Sequence, residues 1–287
     1  MATWTRHKTS LVASLIETST LLDIAHGLES APMENSFGQP QSVIVLGGSS
    51  DIARALTKRL AAARAQTVVL CGRNQELLNV AAEEAKDYGA TTTDTVLFDA
   101  EDVTDAARVV SEAFEKVGGG VDLVVAAVGL LGDQFAQEND AAAAASVALV
   151  NFAWPVAALA EIRRRLVAQG YGRILVISSV ASIRVRRNAY LYGGAKAGLD
   201  RLCDGLADSL EGTGVKLQLL RPGVVRTRMT KGQAPVPFTT GPEEVAGYVM
   251  KGLETNDRVI WSPPVLRYAF AVLGHLPKPI WRKVVDR

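Results

Sequence analysis

Short apolar runs alternate with amphipathic stretches along the central part of the chain. Residues 43–47 (VIVLG) form a β-branched and apolar run that ends in glycine, as in a strand buried on both faces of a parallel sheet. Residues 52–64 (IARALTKRLAAAR) follow with the apolar spacing of a helix. The alternation continues and predicts strands at 43–47, 67–71, 95–98, 121–127, 173–178 and 215–219, with helices at 52–64, 75–87, 104–117, 139–169 and 190–211.

Six strands that alternate with helices predict an α/β fold, a doubly wound parallel sheet of the Rossmann type with right-handed crossovers. Such sheets bind ligands at the carboxyl ends of their strands, so the loops after the strands are expected to carry the chemistry. The chain has 287 residues, of which 48% are hydrophobic, enough for one large core. We therefore expect a single domain at residues 42–262.

The two ends of the chain differ from this domain in composition. Residues 27–42 are rich in Gly, Pro, Ser and Asn, as linkers are, and Met33 stands where a compact domain could begin. We predict an N-terminal extension and linker at residues 1–41, with residues 1–32 dispensable for folding and activity. Residues 263–287 are predicted to be a basic amphipathic extension.

The amino-acid composition argues against several classes of function. The 31 Lys and Arg balance 30 Asp and Glu, which argues against nucleic-acid binding. Two cysteines and three histidines leave little material for a disulfide scaffold, a metal site or a Ser-His-Asp triad, so we expect no metal. Purely apolar runs reach only about ten residues, short of the roughly 20 of a membrane span, and residues 11–26 fit a secretory signal poorly. We expect a cytoplasmic protein.

A glycine turn follows the first predicted strand directly. Residues 47–53 (GGSSDIA) place backbone N–H groups and a helix dipole where a pyrophosphate could bind. The spacing is not the GxGxxG of a dinucleotide fingerprint, so an ordinary strand-to-helix turn remains an equal alternative. The candidate cofactor-binding residues of this turn are Gly47, Ser49, Ser50, Asp51 and Ile52.

The next two strand ends bear on the choice of dinucleotide. The second strand leads into Arg73 with no acidic residue at its tip, which favours the 2′-phosphate of NADPH over NADH. A solvated loop charge is the alternative. Asp99, at the end of the third strand, could accept a hydrogen bond from the adenine amino group or cap a turn, and both are open.

A serine, a tyrosine and a lysine form the candidate catalytic group. Tyr192 and Lys196 are four residues apart and share one face of the predicted helix, where the ammonium would favour the phenolate and make Tyr192 a usable proton donor near neutral pH. Ser179 ends the fifth strand, 13 residues before Tyr192. An exposed Tyr-Lys pair on a helix is the alternative, but Pro222 and Gly223 after the sixth strand add to the pattern.

These motifs resemble those of the short-chain dehydrogenase/reductase family over about residues 42–262. The resemblance implies that Ser179 binds a substrate carbonyl, Tyr192 donates its proton, Lys196 lowers the tyrosine pKa and binds the nicotinamide ribose, and Asn151 orders a water. It also implies a homo-oligomer. Further cofactor contacts are implied at Gly129, Pro222, Gly223, Val225 and Thr227, beside those of Tyr192 and Lys196.

The chain departs from the family pattern at three places. Ala126 and Ala127 replace the usual asparagines after the fourth strand, and Asp51 and Ala53 replace the later glycines of the turn. The methyl group of Ala53 would crowd the bound phosphate or the packing of the helix on the strand. Cofactor affinity is therefore the property that this departure would affect.

Two basic segments indicate what kind of substrate the site could take. Arg184, Arg186 and Arg187 lie at the rim of the predicted site, where an arginine fork suits a phosphate, although a solvated basic loop is equally open. Residues 264–287 carry a net charge of +4 among aromatic and aliphatic residues, which suits an anionic lipid surface, a buried arm or a dimer contact.

Short segments around residues 129–133, 184–187, 221–229 and 275–277 are similar to a narrower subgroup of the family. That likeness implies reduction of the C2 ketone of a polyprenyl-phosphate-linked keto-pentose for cell-wall arabinan, with NADH, a flavin oxidase partner and peripheral contact with the inner face of the plasma membrane. The choice between NADH and NADPH stays open here. The alternatives are a reductase of small soluble ketones or alcohols and a non-catalytic dinucleotide-binding protein.

Overall fold

The computed structural model of the chain describes residues 39–232 and 236–285, and the side chains only up to residue 281 in the last helix. The predicted N-terminal extension lies, apart from its last three residues, outside the described residues, as do residues 286 and 287.

Seven parallel strands form one sheet in the order β3-β2-β1-β4-β5-β6-β7. This confirms the predicted doubly wound fold and its six strands and adds a seventh. The strands are β1 (Ser42–Leu46), β2 (Thr67–Gly72), β3 (Thr92–Leu97), β4 (Leu123–Ala126), β5 (Gly172–Ile177), β6 (Val215–Pro222) and β7 (Val259–Ser262).

Helices cover both faces of the sheet. They are α1 (Asp51–Ala62), α2 (Gln75–Asp87), α3 (Ala106–Val117), α4 (Gln134–Gln137), α5 (Ala141–Ala148), α6 (Trp154–Gln169), α7 (Tyr190–Ser209), α8 (Pro242–Thr255), α9 (Leu266–Leu273) and α10 (Lys278–Val285). The predicted helix at 139–169 is α5 and α6 joined by a π-helical segment, Leu149–Ala153. The elements predicted from the sequence did not include α8 or β7.

Alternate residues of β1 enter two separate apolar cores. Ile44 and Leu46 face one core, which contains Trp154 of α6, while Val43 and Val45 face the other, which contains Leu56 of α1. All of these side chains are buried. A strand buried on both faces needs a continuous apolar run, which is the pattern that predicted β1.

The continuous helix Ala141–Gln169 is, among the described residues, the one that is long and apolar enough to cross a membrane by length and composition. Its α6 part buries Trp154, Leu159, Ile162 and Leu166 in the core on the sheet. These four side chains of the long helix therefore belong to the core of the domain.

Candidate active site

The glycine turn after β1 lies at the point where the strand order reverses, between β1 and β4. Gly47 has φ +86°, and a Cβ on it would lie 2.7 Å from the carbonyl oxygen of Ala127, in the loop after β4. A side chain at this position would therefore close the space between the two loops. Open α/β sheets bind their ligands at such a reversal point.

Hydrogen bonds fix the glycine turn against the neighbouring strand. Gly47 N and Gly48 N both donate to the carbonyl oxygen of Cys71, at 2.8 and 2.9 Å. Ser50 caps α1, and its Oγ accepts a hydrogen bond from Ala53 N at 3.2 Å. The positive end of the α1 dipole thus meets the crevice, an arrangement that fits the pyrophosphate of a dinucleotide.

Two departures from the family pattern have clear positions. Ala53 is fully buried and belongs to the core between α1 and the sheet, so its methyl group packs there. Asp51 is the first residue of α1, and its carboxylate pairs with Arg228 from the loop after β6. Ile52 packs at the edge of the same core as Ala53.

The ends of β2 and β3 place the predicted adenosine contacts. Arg73 is exposed directly after β2. A Cβ on Gly72 would lie 3.7 Å from Ser49 Oγ, so Ser49 and Arg73 occupy the same corner of the crevice. Asp99 is exposed, and its Oδ1 accepts a hydrogen bond from Glu101 N at 3.0 Å, which is the turn-capping alternative.

The structure brings Ser179, Tyr192 and Lys196 together at the carboxyl end of β5. The Ser179 hydroxyl lies close enough to the Tyr192 phenol to lower its pKa. Lys196 Nζ lies 5.9 Å from the centroid of the Tyr192 ring, and Ser179 and Lys196 are buried. Lys196 Nζ donates to Ile177 O at 3.1 Å and to Val128 O at 3.4 Å, so backbone carbonyls at the ends of two strands hold the ammonium.

Burial determines the protonation of this pair. It raises the pKa of Tyr192 to about 12, against a lowering by the Ser179 hydroxyl, and the nearby Asp200 raises it further. Burial also lowers the pKa of Lys196 to about 8. The expectation of an acidic phenol is therefore wrong for this structure, because loss of solvation raises the Tyr192 pKa by more than the Ser179 hydroxyl lowers it.

Asp200, which the sequence analysis did not single out, lies near Tyr192 and Lys196. It is 1% exposed and accepts hydrogen bonds from Ser178 Oγ, from Ser182 Oγ at 2.6 Å and from Arg221 Nε at 2.9 Å. It therefore ties α7 to the loop that carries Ser179 and to the end of β6. Its position one turn after Lys196, on the same helix face, was the available signal.

Asn151 secures the loop after β4. Its Nδ2 donates to Leu130 O at 2.7 Å and to Val147 O at 2.9 Å, and its Oδ1 accepts from Leu130 N at 3.1 Å. A Cβ on Gly129 would lie 3.3 Å from Asn151 Oδ1 and 3.6 Å from Lys196 Nζ. The glycine therefore leaves space between the amide and the ammonium.

The loop after β6 carries the remaining predicted cofactor residues. Pro222 ends the strand, and Gly223 N donates to Ser262 O at 2.9 Å. Val225 is buried. Thr227 N donates to Thr230 Oγ1 at 3.1 Å, so the loop enters a 3₁₀ turn after Thr227.

The three rim arginines have different surroundings. Arg184 Nη1 donates to Gly274 O at 2.9 Å and Nη2 to Leu276 O at 2.8 Å, and its guanidinium stacks on Trp281. Its fork is thus engaged by the C-terminal segment, a contact that the predicted substrate role did not include. Arg187 is exposed and Arg186 partly so, and neither has an ion pair within the described part of the chain.

Comparison with known proteins agrees with this architecture. Residues 41–235 match the family model described as short chain dehydrogenase. An uncharacterized oxidoreductase of Mycobacterium tuberculosis is 40% identical over 242 residues, which are 84% of this chain and 96% of that protein. An uncharacterized oxidoreductase of Streptomyces coelicolor is 38% identical over 88% of this chain and 99% of its own length.

Among solved structures, a short chain dehydrogenase from Burkholderia cenocepacia in complex with NADP superposes with a TM-score of 0.72. It is 19% identical and covers 86% of this chain and 98% of that one, a likeness that shows the fold. The chain belongs to the short-chain dehydrogenase family. It is therefore an oxidoreductase, which is also how these two relatives are described.

Proposed function

We propose that the protein is a nicotinamide-dependent carbonyl reductase with Ser179, Tyr192 and Lys196 as its catalytic residues. The observation that supports this most is that the Ser179 and Tyr192 side chains lie together beside the buried Lys196 ammonium at the carboxyl end of β5. Two hydroxyls that lie this close together can both donate to one substrate oxygen. When bound, the reduced nicotinamide would supply hydride to the carbonyl carbon.

The side chains account for the rest of the step. Ser179 and Tyr192 donate hydrogen bonds to the carbonyl oxygen as negative charge develops on it. With a pKa of about 12, the Tyr192 phenol keeps its proton at neutral pH and can transfer it to that oxygen. The Lys196 ammonium then stabilises the resulting phenolate. A protonated phenol is the form that the reductive direction requires.

The glycine turn and the loops after β4 and β6 would hold the dinucleotide. The pyrophosphate would meet the start of α1, formed by Gly47, Ser49, Ser50, Asp51 and Ile52, with Asp99 near the adenine. The nicotinamide would lie by Lys196 and the loop after β6. The residues proposed at that end are Asn151, Gly129, Pro222, Gly223, Val225 and Thr227.

We favour NADPH over NADH. Arg73 is exposed at the tip of β2, and Ser49 lies at the same corner. An arginine at this position pairs with a ribose 2′-phosphate, whereas an NAD site commonly offers a carboxylate. The solved structure from Burkholderia cenocepacia, of the same fold, is itself a complex with NADP.

Fluorescence titration of the full chain with NADPH and NADH tests this assignment. We expect tighter binding of NADPH, and an Arg73→Gln variant should lose that preference while keeping its NADH affinity. Equal loss for both dinucleotides would contradict the role of Arg73. NADPH oxidation is then measured with a panel of ketones and aldehydes. Binding of NADPH without turnover of any of these compounds would favour a non-catalytic dinucleotide-binding protein.

A second candidate is the polyprenyl-phosphate-linked keto-pentose, reduced at C2 in arabinan precursor synthesis, with a flavin oxidase partner supplying the ketone. Two observations favour an anionic, lipid-linked substrate. Arg186 and Arg187 have no ion pair within the described residues, and α9 exposes Tyr268 and Val272 on one face. In this proposal α9 contacts the cytoplasmic face of the membrane.

Co-sedimentation with phosphatidylglycerol vesicles separates this candidate from a reductase of small soluble ketones. Tyr268→Asp should abolish sedimentation of the protein with vesicles, and an Arg186→Gln/Arg187→Gln double variant should raise KM for a phosphorylated keto-sugar but not for an uncharged ketone. Absence of vesicle binding by the unaltered protein would favour the soluble substrate.

A further inference from the structure

Asp51 and Arg228 join two loops that come from distant strands. Arg228 N donates to Asp51 Oδ2 at 2.6 Å, and Arg228 Nε donates to Asp51 Oδ1 at 2.7 Å. Arg228 Nη2 donates to the carbonyl oxygen of Ser49. One residue therefore binds both carboxylate oxygens and the turn beside them. Exposed ion pairs contribute little on average, but two-point arginine geometry is the exception.

This contact spans the crevice. Asp51 follows β1 and Arg228 follows β6, and β4 and β5 lie between those strands. Three inter-strand spacings amount to roughly 14 Å. The loop after β6 therefore reaches across the carboxyl ends of β5 and β4 to the glycine turn. Arg228 thus lies beside the glycine turn, at the reversal point where the proposed dinucleotide would bind.

Charge gives the contact a second consequence. The carboxylate of Asp51 is favourable for the α1 dipole but would repel a pyrophosphate at the same helix terminus. Arg228 offsets that charge where the family pattern has a glycine and needs no counter-ion. The pair thus accounts for how an acidic residue is tolerated at this turn.

We propose that Asp51 and Arg228 are positioning residues for the dinucleotide. Together they hold the loop after β6 across the bound pyrophosphate, and Arg228 offsets the negative charge of Asp51 at the glycine turn. This inference rests on the proposed function. It predicts that the pair slows dinucleotide release and that the arginine matters more than the aspartate, because loss of Arg228 alone leaves a bare carboxylate beside the phosphates.

The test is NADPH binding by the full chain, with equilibrium titration and with the dissociation rate measured by displacement with NADP⁺. The variants are Arg228→Gln, Arg228→Lys, Asp51→Asn and the double variant Asp51→Asn/Arg228→Gln. Arg226→Gln is the matched control, because Arg226 lies on the same loop but contacts Thr239 O and Glu244 at the start of α8. Thermal melting of each variant confirms folding.

Arg228→Gln should weaken NADPH binding by about tenfold, mainly through faster dissociation. Adding Asp51→Asn should recover part of that loss, which a merely structural role would not allow, and Arg228→Lys should fall between. Arg226→Gln should bind as the unaltered protein does. Unaltered affinity and dissociation in Arg228→Gln, or additive losses in the double variant, would overturn the inference. Failure of the unaltered protein to bind either NADPH or NADH would overturn the proposed function as well.

Discussion

The Asp200 carboxylate accepts a hydrogen bond from Arg221 Nε at 2.9 Å, which ties the middle of α7 to the end of β6. Asp200 is 1% exposed, and its side chain also binds the hydroxyls of Ser178 and Ser182 on either side of Ser179. One buried carboxylate thus joins three segments of the proposed site. In the proposed function, Asp200 would position the loop that carries Ser179 through the hydroxyls of Ser178 and Ser182.

Asp200→Asn should lower the free energy of unfolding by about 3 kcal/mol, because it leaves the largely buried Arg221 guanidinium without its counter-charge. Denaturant unfolding measures the loss. The matched control is Asp204→Asn, one turn further along α7, whose carboxylate pairs with Arg201 at the surface at 2.9 Å. That change should cost less than about 1 kcal/mol. Equal losses in the two variants would contradict the structural role of Asp200.

Gly47→Ala should both destabilise the fold and abolish dinucleotide binding. Gly47 has φ +86°, and its Cβ would meet the Ala127 carbonyl oxygen at 2.7 Å. Gly212→Ala isolates the backbone contribution, because Gly212 has φ +76° with no atom within 4 Å of its Cβ position. We expect about 1–2 kcal/mol for Gly212→Ala, with NADPH affinity retained, and a larger loss for Gly47→Ala. Retained binding in Gly47→Ala would argue against this turn as the pyrophosphate site.

The stability of the cofactor-free protein should depend on pH through Lys196. Burial lowers the pKa of Lys196 from 10.5 to about 8, so between these values the unfolded chain binds a proton that the folded chain does not. Stability from this group is therefore lowest below pH 8 and rises toward pH 10.5, by an amount on the order of 2–3 kcal/mol.

Lys196→Met removes this dependence and is the comparison to make. Cys71, Cys203 and Tyr192 have raised pKa values, which lower stability at high pH in both proteins, so the difference between the two unfolding free energies isolates the lysine. That difference should change steadily from pH 8 to pH 10. Parallel curves over this interval would show that the Lys196 pKa is not lowered.

The sequence pattern predicted the parts of the site that depend on local geometry. Tyr192 and Lys196 had to share a helix face once residues 190–211 were taken as a helix, and Ser179 had to lie at a strand end. Strands β1 and β2 were evident because burial on both faces demands continuous apolar runs. These inferences need only the repeat of one element and the polarity of a doubly wound sheet.

Features that depend on contacts between distant segments were not predictable in this way. Asp200 owes its role to Ser178, Ser182 and Arg221, which converge only in the folded chain. Arg184 meets the carbonyls of Gly274 and Leu276, some 90 residues later. The four-residue β7 was too short for a periodic signal, although Pro242 at the start of α8 was a usable helix-start signal.

Burial also reversed one expectation about chemistry. A lysine one turn from a tyrosine suggests an acidic phenol, but desolvation raises the Tyr192 pKa to about 12 and lowers that of Lys196 to about 8. The prediction that the two residues lie on one helix face is confirmed. Their burial, which the spacing does not reveal, sets their pKa values. The result is a phenol that keeps its proton at neutral pH.

The most direct test of the central claim is the rate of NADPH oxidation by Tyr192→Phe, with a ketone that the unaltered protein reduces. The variant keeps the ring and loses only the hydroxyl beside Ser179, so NADPH affinity should stay the same while the rate falls by roughly 100- to 1000-fold. A rate close to that of the unaltered protein, with NADPH still bound, would contradict the assignment of Tyr192 as proton donor.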